Sequence, residues 1–152
     1  MAITVVLDTN ILLDAKNTNE PHSAYSLQIL DAIEDGSIHA ILSIISIAEL
    51  CTGYYSQGDK KGKEELLAHL VSTKGFLIVD LDLDIANAAA KIRADTGLRL
   101  PDCIIIATGL AKNAQYVITH DKELDKANRH LKIISSKELL GRLGHAKKKL
   151  QK

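Results

Sequence analysis

Four acidic residues stand out by their surroundings: Asp8, Glu49, Asp102 and Asp121. Asp8 directly follows the apolar run Ile3 to Leu7 and opens Asp8-Thr9-Asn10. Glu49 lies in Ser46-Ile47-Ala48-Glu49-Leu50, Asp102 follows Pro101, and Asp121 closes Thr119-His120-Asp121. No basic residue lies within two positions of the first three, whereas Asp121 has Lys122 beside it. Two carboxylates about 4 Å apart repel by roughly 4 kcal/mol at an effective dielectric near 20, so a cluster of them takes up protons or cations. Oxygen-only donors select the hard ions Mg²⁺, Mn²⁺ or Ca²⁺ over zinc, which wants thiolate and imidazole. One or two such ions suit in-line displacement at a phosphodiester: one acidifies the attacking water and the other steadies the leaving oxygen.

For that chemistry the four acids must meet, and the pattern of elements supplies a reason. Strands are expected at Ile3 to Leu7, Ile38 to Leu42, Phe76 to Val79, Tyr116 to Thr119 and Leu131 to Ile134, each nearly all apolar. Helical spacing occupies His22 to Glu34, Ser43 to Tyr55, Lys61 to Val71, Leu83 to Thr96, Pro101 to Lys112 and Lys137 to Leu143. Alternating apolar strands and helices indicate an α/β fold, a parallel sheet of about five strands with helices on both faces. Ligands of open sheets bind outside the carboxyl ends of the strands. Asp8 and Asp121 follow strands there, Glu49 sits in the helix after the second strand, and a helix running back against the fourth strand brings the end carrying Asp102 to the same edge.

Composition narrows the class. The chain has 152 residues, 46% hydrophobic and 25% charged, the mixture of a soluble globular protein rather than a disordered, collagenous or coiled-coil one. Nineteen basic residues balance 19 acidic ones, which excludes a wholesale polyanion-binding surface but not a local basic patch. Aromatics are only 3%, so base stacking cannot be the main grip on a nucleic acid. No stretch approaches a membrane span or a signal peptide, and Cys51 and Cys103 form no disulfide framework. A cytoplasmic location is the expectation. One domain over residues 1–144 and a basic, flexible C-terminal tail over 145–152 are the expectation.

Each acid also has an ordinary role open to it. Asp8 suits the N-cap of a short helix from Ile11. Ser46 to Glu49 fits a capping box, while a helix starting at Ser43 puts Glu49 well inside it. Asp102 favours a helix opening, yet it precedes Cys103-Ile104-Ile105-Ile106-Ala107, apolar all round and therefore buried, so the charge needs a partner. Asp121 suits a turn. Their common placement, not any single residue, carries the functional reading.

The residues resemble a known family. Val5-Val6-Leu7-Asp8-Thr9-Asn10-Ile11-Leu12-Leu13 looks like the opening of the PIN domain, and Ser46-Ile47-Ala48-Glu49-Leu50 its second motif. Leu100-Pro101-Asp102-Cys103-Ile104-Ile105-Ile106-Ala107-Thr108 resembles the third, and Val117-Ile118-Thr119-His120-Asp121-Lys122 the fourth. Size and plan look most like the VapC-type toxins of toxin–antitoxin pairs. The resemblance implies a three-layer α/β/α fold, a Mg²⁺- or Mn²⁺-dependent endoribonuclease acting on RNA, and a homodimer silenced by a small VapB-like antitoxin. It also implies Asp8, Glu49, Asp102 and Asp121 as metal ligands and catalytic residues, with Asn10 and Thr119 bracing them. His120 departs from the family's usual Asn or Arg, and Asp125 is a candidate further acid.

Other residues invite weaker readings. His120 is expected to face solvent, with a proton-shuttling role as the alternative. Lys60, Lys61, Lys63, Arg93, Arg99 and the basic tail are possible RNA contacts or plain solvated charges; Tyr54 and Tyr55 suit an interface or a half-buried helix end. Two competing functions remain: a cation-binding module without hydrolysis, and a phosphate enzyme using Asp8 as nucleophile. The second is disfavoured because Asp8-Thr9-Asn10 lacks a second acid two positions on.

Overall fold

The computed structural model describes residues 2–150, with side chains described up to residue 144. Five β-branched-rich segments form the strands β1 (Ile3–Leu7), β2 (Ile38–Ser43), β3 (Phe76–Val79), β4 (Tyr116–Ile118) and β5 (Ile133–Ile134). They build one sheet in the order β3-β2-β1-β4-β5, parallel throughout. The helices are α1 (Thr9–Lys16), α2 (Ser23–Glu34), α3 (Ile44–Ser56), α4 (Lys60–Ser72), α5 (Leu83–Thr96), α6 (Leu100–Ala111) and α7 (Ser136–Leu150), with a 3₁₀ helix at Lys122–Ala127.

Strand residues alternate between two cores. Val6, Ile41, Val117 and Ile133 pack with α5 and α6, while Val5, Leu7, Leu42, Ile118 and Ile134 pack with α1, α2 and α7. Both faces of the sheet are covered, which is why its strands read as continuous apolar runs. The expected three-layer α/β/α arrangement is therefore present.

Chain order reverses around β1: β2 lies on one side and β4 on the other. In such sheets the adjoining loops diverge and leave a crevice at the carboxyl edge. The Asp8 amide donates to the Ile118 carbonyl at 2.9 Å, closing the two strands just beneath this crevice. Helix α6 delivers its N-terminus to the same edge. Its first turn is reached through Gly97, whose φ of +71° ends α5 in the left-handed region open to glycine. Buried Gly109 lets α6 lie against the sheet, for a Cβ there would fall 2.5 Å from Val6 Cγ1.

Several boundaries differ from the sequence expectation. Helix α1 starts at Thr9 rather than Ile11, because the chain turns directly out of β1 and the Asp8 carbonyl already accepts from the Ile11 amide. Helix α3 is capped by Ser43, whose hydroxyl accepts from the Ile45 amide, so the Ser46 capping box does not form. Helix α7 runs to Leu150, past the expected Leu143; Ser135 Oγ accepts from the Glu138 amide at its start, and Leu139 and Leu143 are buried. The reading of residues 145–152 as a basic tail concerns side chains outside the described residues. No helix among the described residues is long and apolar enough to cross a membrane.

Candidate metal centre

Asp8 occupies the crevice between β1 and β4. As N-cap of α1 it accepts from the Thr9 amide on Oδ1 at 2.7 Å. Its Oδ2 accepts from Thr119 Oγ1 at 2.7 Å and from Asn10 Nδ2 at 3.2 Å. Thr119 is fully used: its hydroxyl gives its one proton to Asp8 and accepts from Asn10 Nδ2 and the Asp121 amide. Asn10 Oδ1 accepts in turn from the His120 amide. The Asp8 carboxylate is thus aimed by groups from both flanking strand ends.

Burial nevertheless pushes its pKa from 3.8 up to about 6. The Thr119 and Thr9 hydrogen bonds pull the other way, and the negative charges of Asp102 and Glu49 add to the rise. Desolvation leads because Asp8 is only 6% exposed. Asp102, 7% exposed at the mouth of α6, is raised as well, chiefly by burial, with Asp121 and Glu123 adding to it. Arg99 opposes this through a single Nε–Oδ2 contact of 3.4 Å. Its side chain is 74% exposed, so solvent screens the pair and leaves it weak.

Glu49 reaches the site through a relay that the sequence reading did not single out. Thr9 Oγ1 lies 2.9 Å from both Glu49 Oε1 and Ser46 Oγ. With one proton to give, it donates to the charged carboxylate and leaves Ser46 to donate to it. Ser46 and Glu49 point the same way because they are three apart on α3. The Ser-x-x-Glu spacing was therefore a usable signal, but of a shared helical face rather than of a capping box.

Asp121 is placed differently. Its Oδ1 accepts from the Glu123 amide, capping the 3₁₀ helix, while its charge bears on Asp102. Glu123, absent from the sequence reading, adds a further negative charge near Asp102, whereas Asp125 is exposed on the 3₁₀ helix with no part in these interactions.

His120 does not face solvent. Its side chain is 5% exposed, with Nδ1 2.6 Å from Asp14 Oδ2 and Nε2 2.7 Å from Ser136 Oγ. The ring also stacks on His22 at 4.3 Å. Both ring nitrogens are occupied in joining α1 to α7, so this ring is a brace rather than a shuttle. Arg93 is similarly spent, donating to the Leu98 carbonyl ahead of α6. Lys63 donates to the Tyr55 hydroxyl; Tyr54 is buried and Tyr55 exposed. Cys103 is buried, its thiol pKa pushed up by burial, and Cys51 is half-buried; both are free.

Oxygen-only donors and two nearly buried carboxylates, offset by one exposed guanidinium, suit a hard divalent cation. Among the described residues no three His, Cys, Asp or Glu side chains stand close enough to grip one ion. The fit is therefore to an ion that keeps several waters and takes one or two carboxylates, as Mg²⁺ does.

The PIN domain family matches residues 5–130, from the strand before Asp8 to the turn beyond Asp121. The chain belongs to the PIN domain family. Solved structures agree in fold. A toxin-antitoxin complex from Klebsiella pneumoniae superposes with a TM-score of 0.67 at 23% identity, covering 87% of this chain and 97% of that one. VapBC2 from Rickettsia felis, bound to a DNA fragment from its promoter, gives 0.69 at 20% identity, covering 88% and 98%. VapC20 from Mycobacterium tuberculosis, a Sarcin-Ricin loop cleaving toxin, gives 0.66 at 13% identity, covering 81% and 94%. No curated protein sequence matches the chain. The matched range spans Asp8, Glu49, Asp102 and Asp121.

Proposed function

We propose that this PIN domain is a Mg²⁺- or Mn²⁺-dependent endoribonuclease, the toxin of a type II toxin–antitoxin pair. The observation that carries the proposal is the Asp8 carboxylate: buried at the β1–β4 crevice, aimed by Thr9, Asn10 and Thr119, and raised to about pH 6 by desolvation and by Asp102 and Glu49. A group so placed is costly as a bare anion, and functional sites are where such cost is tolerated. Asp8, Glu49, Asp102 and Asp121 would be the metal ligands and catalytic residues, Asp8 and Asp102 holding the ion directly and Glu49 and Asp121 through the waters it keeps. When bound, the divalent ion supplies an acidified water and neutralises charge on the phosphodiester. Asn10 and Thr119 keep Asp8 in one orientation, and the Thr9 hydroxyl does the same for Glu49. Arg99, exposed beside Asp102, is positioned for substrate phosphate.

The toxin–antitoxin complexes among the structural relatives support a small VapB-like antitoxin that silences the site, and the Sarcin-Ricin loop cleaving VapC20 supports an RNA substrate. A homodimer and a cytoplasmic setting belong to the same proposal on the family resemblance alone. The test is Mn²⁺-dependent cleavage of total RNA by the antitoxin-free protein, mapped by end sequencing. Asp102→Asn should abolish it while leaving the thermal midpoint equal or higher, since repulsion is relieved. A variant cutting at the wild-type rate refutes the assignment.

One observation favours a second reading, a cation-binding module that does not hydrolyse. The acids do not close on a single ion as a three-ligand set among the described residues. Protein stabilised by Mn²⁺ yet inert on varied RNAs would select it.

A further inference from the structure

A groove of about 410 Å³ lies between α1 and α3, lined by Leu13, Lys16, Asn17, Leu50, Gly53, Tyr54 and Gln57. It starts one helical turn beyond Thr9 on α1 and directly after Glu49 on α3, the two residues that the Thr9–Glu49 hydrogen bond ties together. Glu49 and the negative rim lie just beyond its near end, and the far end carries a cation. Lys16 Nζ sits 3.6 Å over the Tyr54 ring and has no carboxylate partner among the described residues. Seven residues of α1 separate Thr9 from Lys16, about 10 Å at the helical rise. Asn17 and Gln57, both exposed, place side-chain amides at that end, and Leu13, 44% exposed, gives the groove an apolar wall over a floor that includes buried Leu50. The groove is open at Gly53, where a Cβ would meet nothing within 4 Å.

We infer that this groove holds a nucleoside of single-stranded RNA next to the scissile phosphate, with Lys16 receiving the following phosphate. The inference rests on the nuclease reading and adds to it where the substrate lies. Charge complementarity favours RNA as the occupant. With the scissile phosphate at the acidic rim, the next phosphate, one nucleoside further along the strand, meets the Lys16 ammonium, whose neighbour is the Tyr54 ring rather than a carboxylate. Leu13 receives the base, and Asn17 and Gln57 offer donors and acceptors to its edge, as side-chain amides do in base recognition. The groove is thus a specificity element as well as a binding one.

Gly53→Leu and Lys16→Met test this on the mapped cleavage site. Leucine at position 53 fills the groove from an open position of α3, and replacing a mid-helical glycine keeps the helix at least as stable, so the thermal midpoint should not fall. Cleavage by Gly53→Leu should lose about tenfold or more in kcat/KM, mainly through KM. A substrate abasic beside the scissile phosphate should cost the wild type a similar factor, and the two losses should not multiply in the combination. Lys16→Met retains the apolar stem over Tyr54 and should lower the salt dependence of log KM by about 0.7, one phosphate's worth for a single strand; this readout stands even where Gly53→Leu misfolds. Wild-type cleavage with both variants at wild-type kcat/KM overturns the groove inference and leaves the nuclease reading intact. Absence of wild-type cleavage overturns both. If Gly53→Leu cuts normally but escapes inhibition by an antitoxin peptide, the groove is a protein-docking surface and the inference is likewise overturned.

Discussion

Asp8 should make the protein lose stability as pH rises from about 4 to 7, when chelator removes divalent ions, and Asp8→Asn should remove that loss. Its carboxyl titrates near 6 in the folded chain against 3.8 as the reference. Between those values the native state holds more protons than the unfolded one, so the slope of unfolding free energy against pH is negative. The full penalty for ionising Asp8 in place is about 3 kcal/mol, with about 2 of it falling between roughly pH 4.5 and 7.5. Asparagine keeps the cap on the Thr9 amide. It turns an NH₂ towards Thr119 Oγ1, however, whose lone pairs already serve Asn10 and the Asp121 amide, at a cost of about 1–3 kcal/mol. Asp8→Asn should therefore be the less stable protein near pH 4.5 and gain on the wild type by about 2 kcal/mol on going to pH 7.5. For a chain of this size that is a relative shift of roughly 4–8 °C in thermal midpoint. Thermal unfolding of both proteins across that range, in chelator and then in Mn²⁺, is the assay. Mn²⁺ at 100 times its Kd should restore about 2.7 kcal/mol to the wild type at high pH and much less to the variant. A wild-type-to-variant difference that stays constant with pH refutes the assignment of a buried, strained carboxylate.

Three further outcomes follow from the same contacts. Thr119→Val deprives Asp8 of its 2.7 Å donor and the Asp121 amide of its acceptor; stability should fall by about 1–3 kcal/mol and Mn²⁺ should bind more weakly, as denaturant and calorimetric titrations would show. Gly109→Ala forces a methyl onto Val6 where α6 meets the sheet and should cost about 1–3 kcal/mol in urea unfolding without new chemistry at the site. His120→Leu strands Asp14 and buried Ser136 and should cost a similar amount; the pH profile of kcat should keep its shape, and loss of one limb would restore His120 as a proton shuttle.

Much of this was legible in the chain itself. Five apolar runs and the helices between them specified a parallel α/β sheet, because strands covered on both faces must be apolar on both faces and parallel neighbours need crossovers. The same pattern puts Asp8, Glu49, Asp102 and Asp121 at one edge, and the all-round apolar helix that Asp102 opens marks it as exceptional. Tertiary structure decided what the side chains do there. Helix α3 could start at Ser46 as a capping box or at Ser43 with Glu49 inside it. The Ser43 cap on the Ile45 amide selects the latter, and only docking against α1 shows that Ser46 and Glu49 both meet Thr9. His120 looked like a turn histidine because nothing local shows that Asp14, Ser136 and His22 close around it. Periodicity reports which faces are buried, since burial is a property summed along an element. Hydrogen-bond partners and pKa shifts depend on a few atoms from distant segments meeting within 3 Å, and that is settled only when the helices dock.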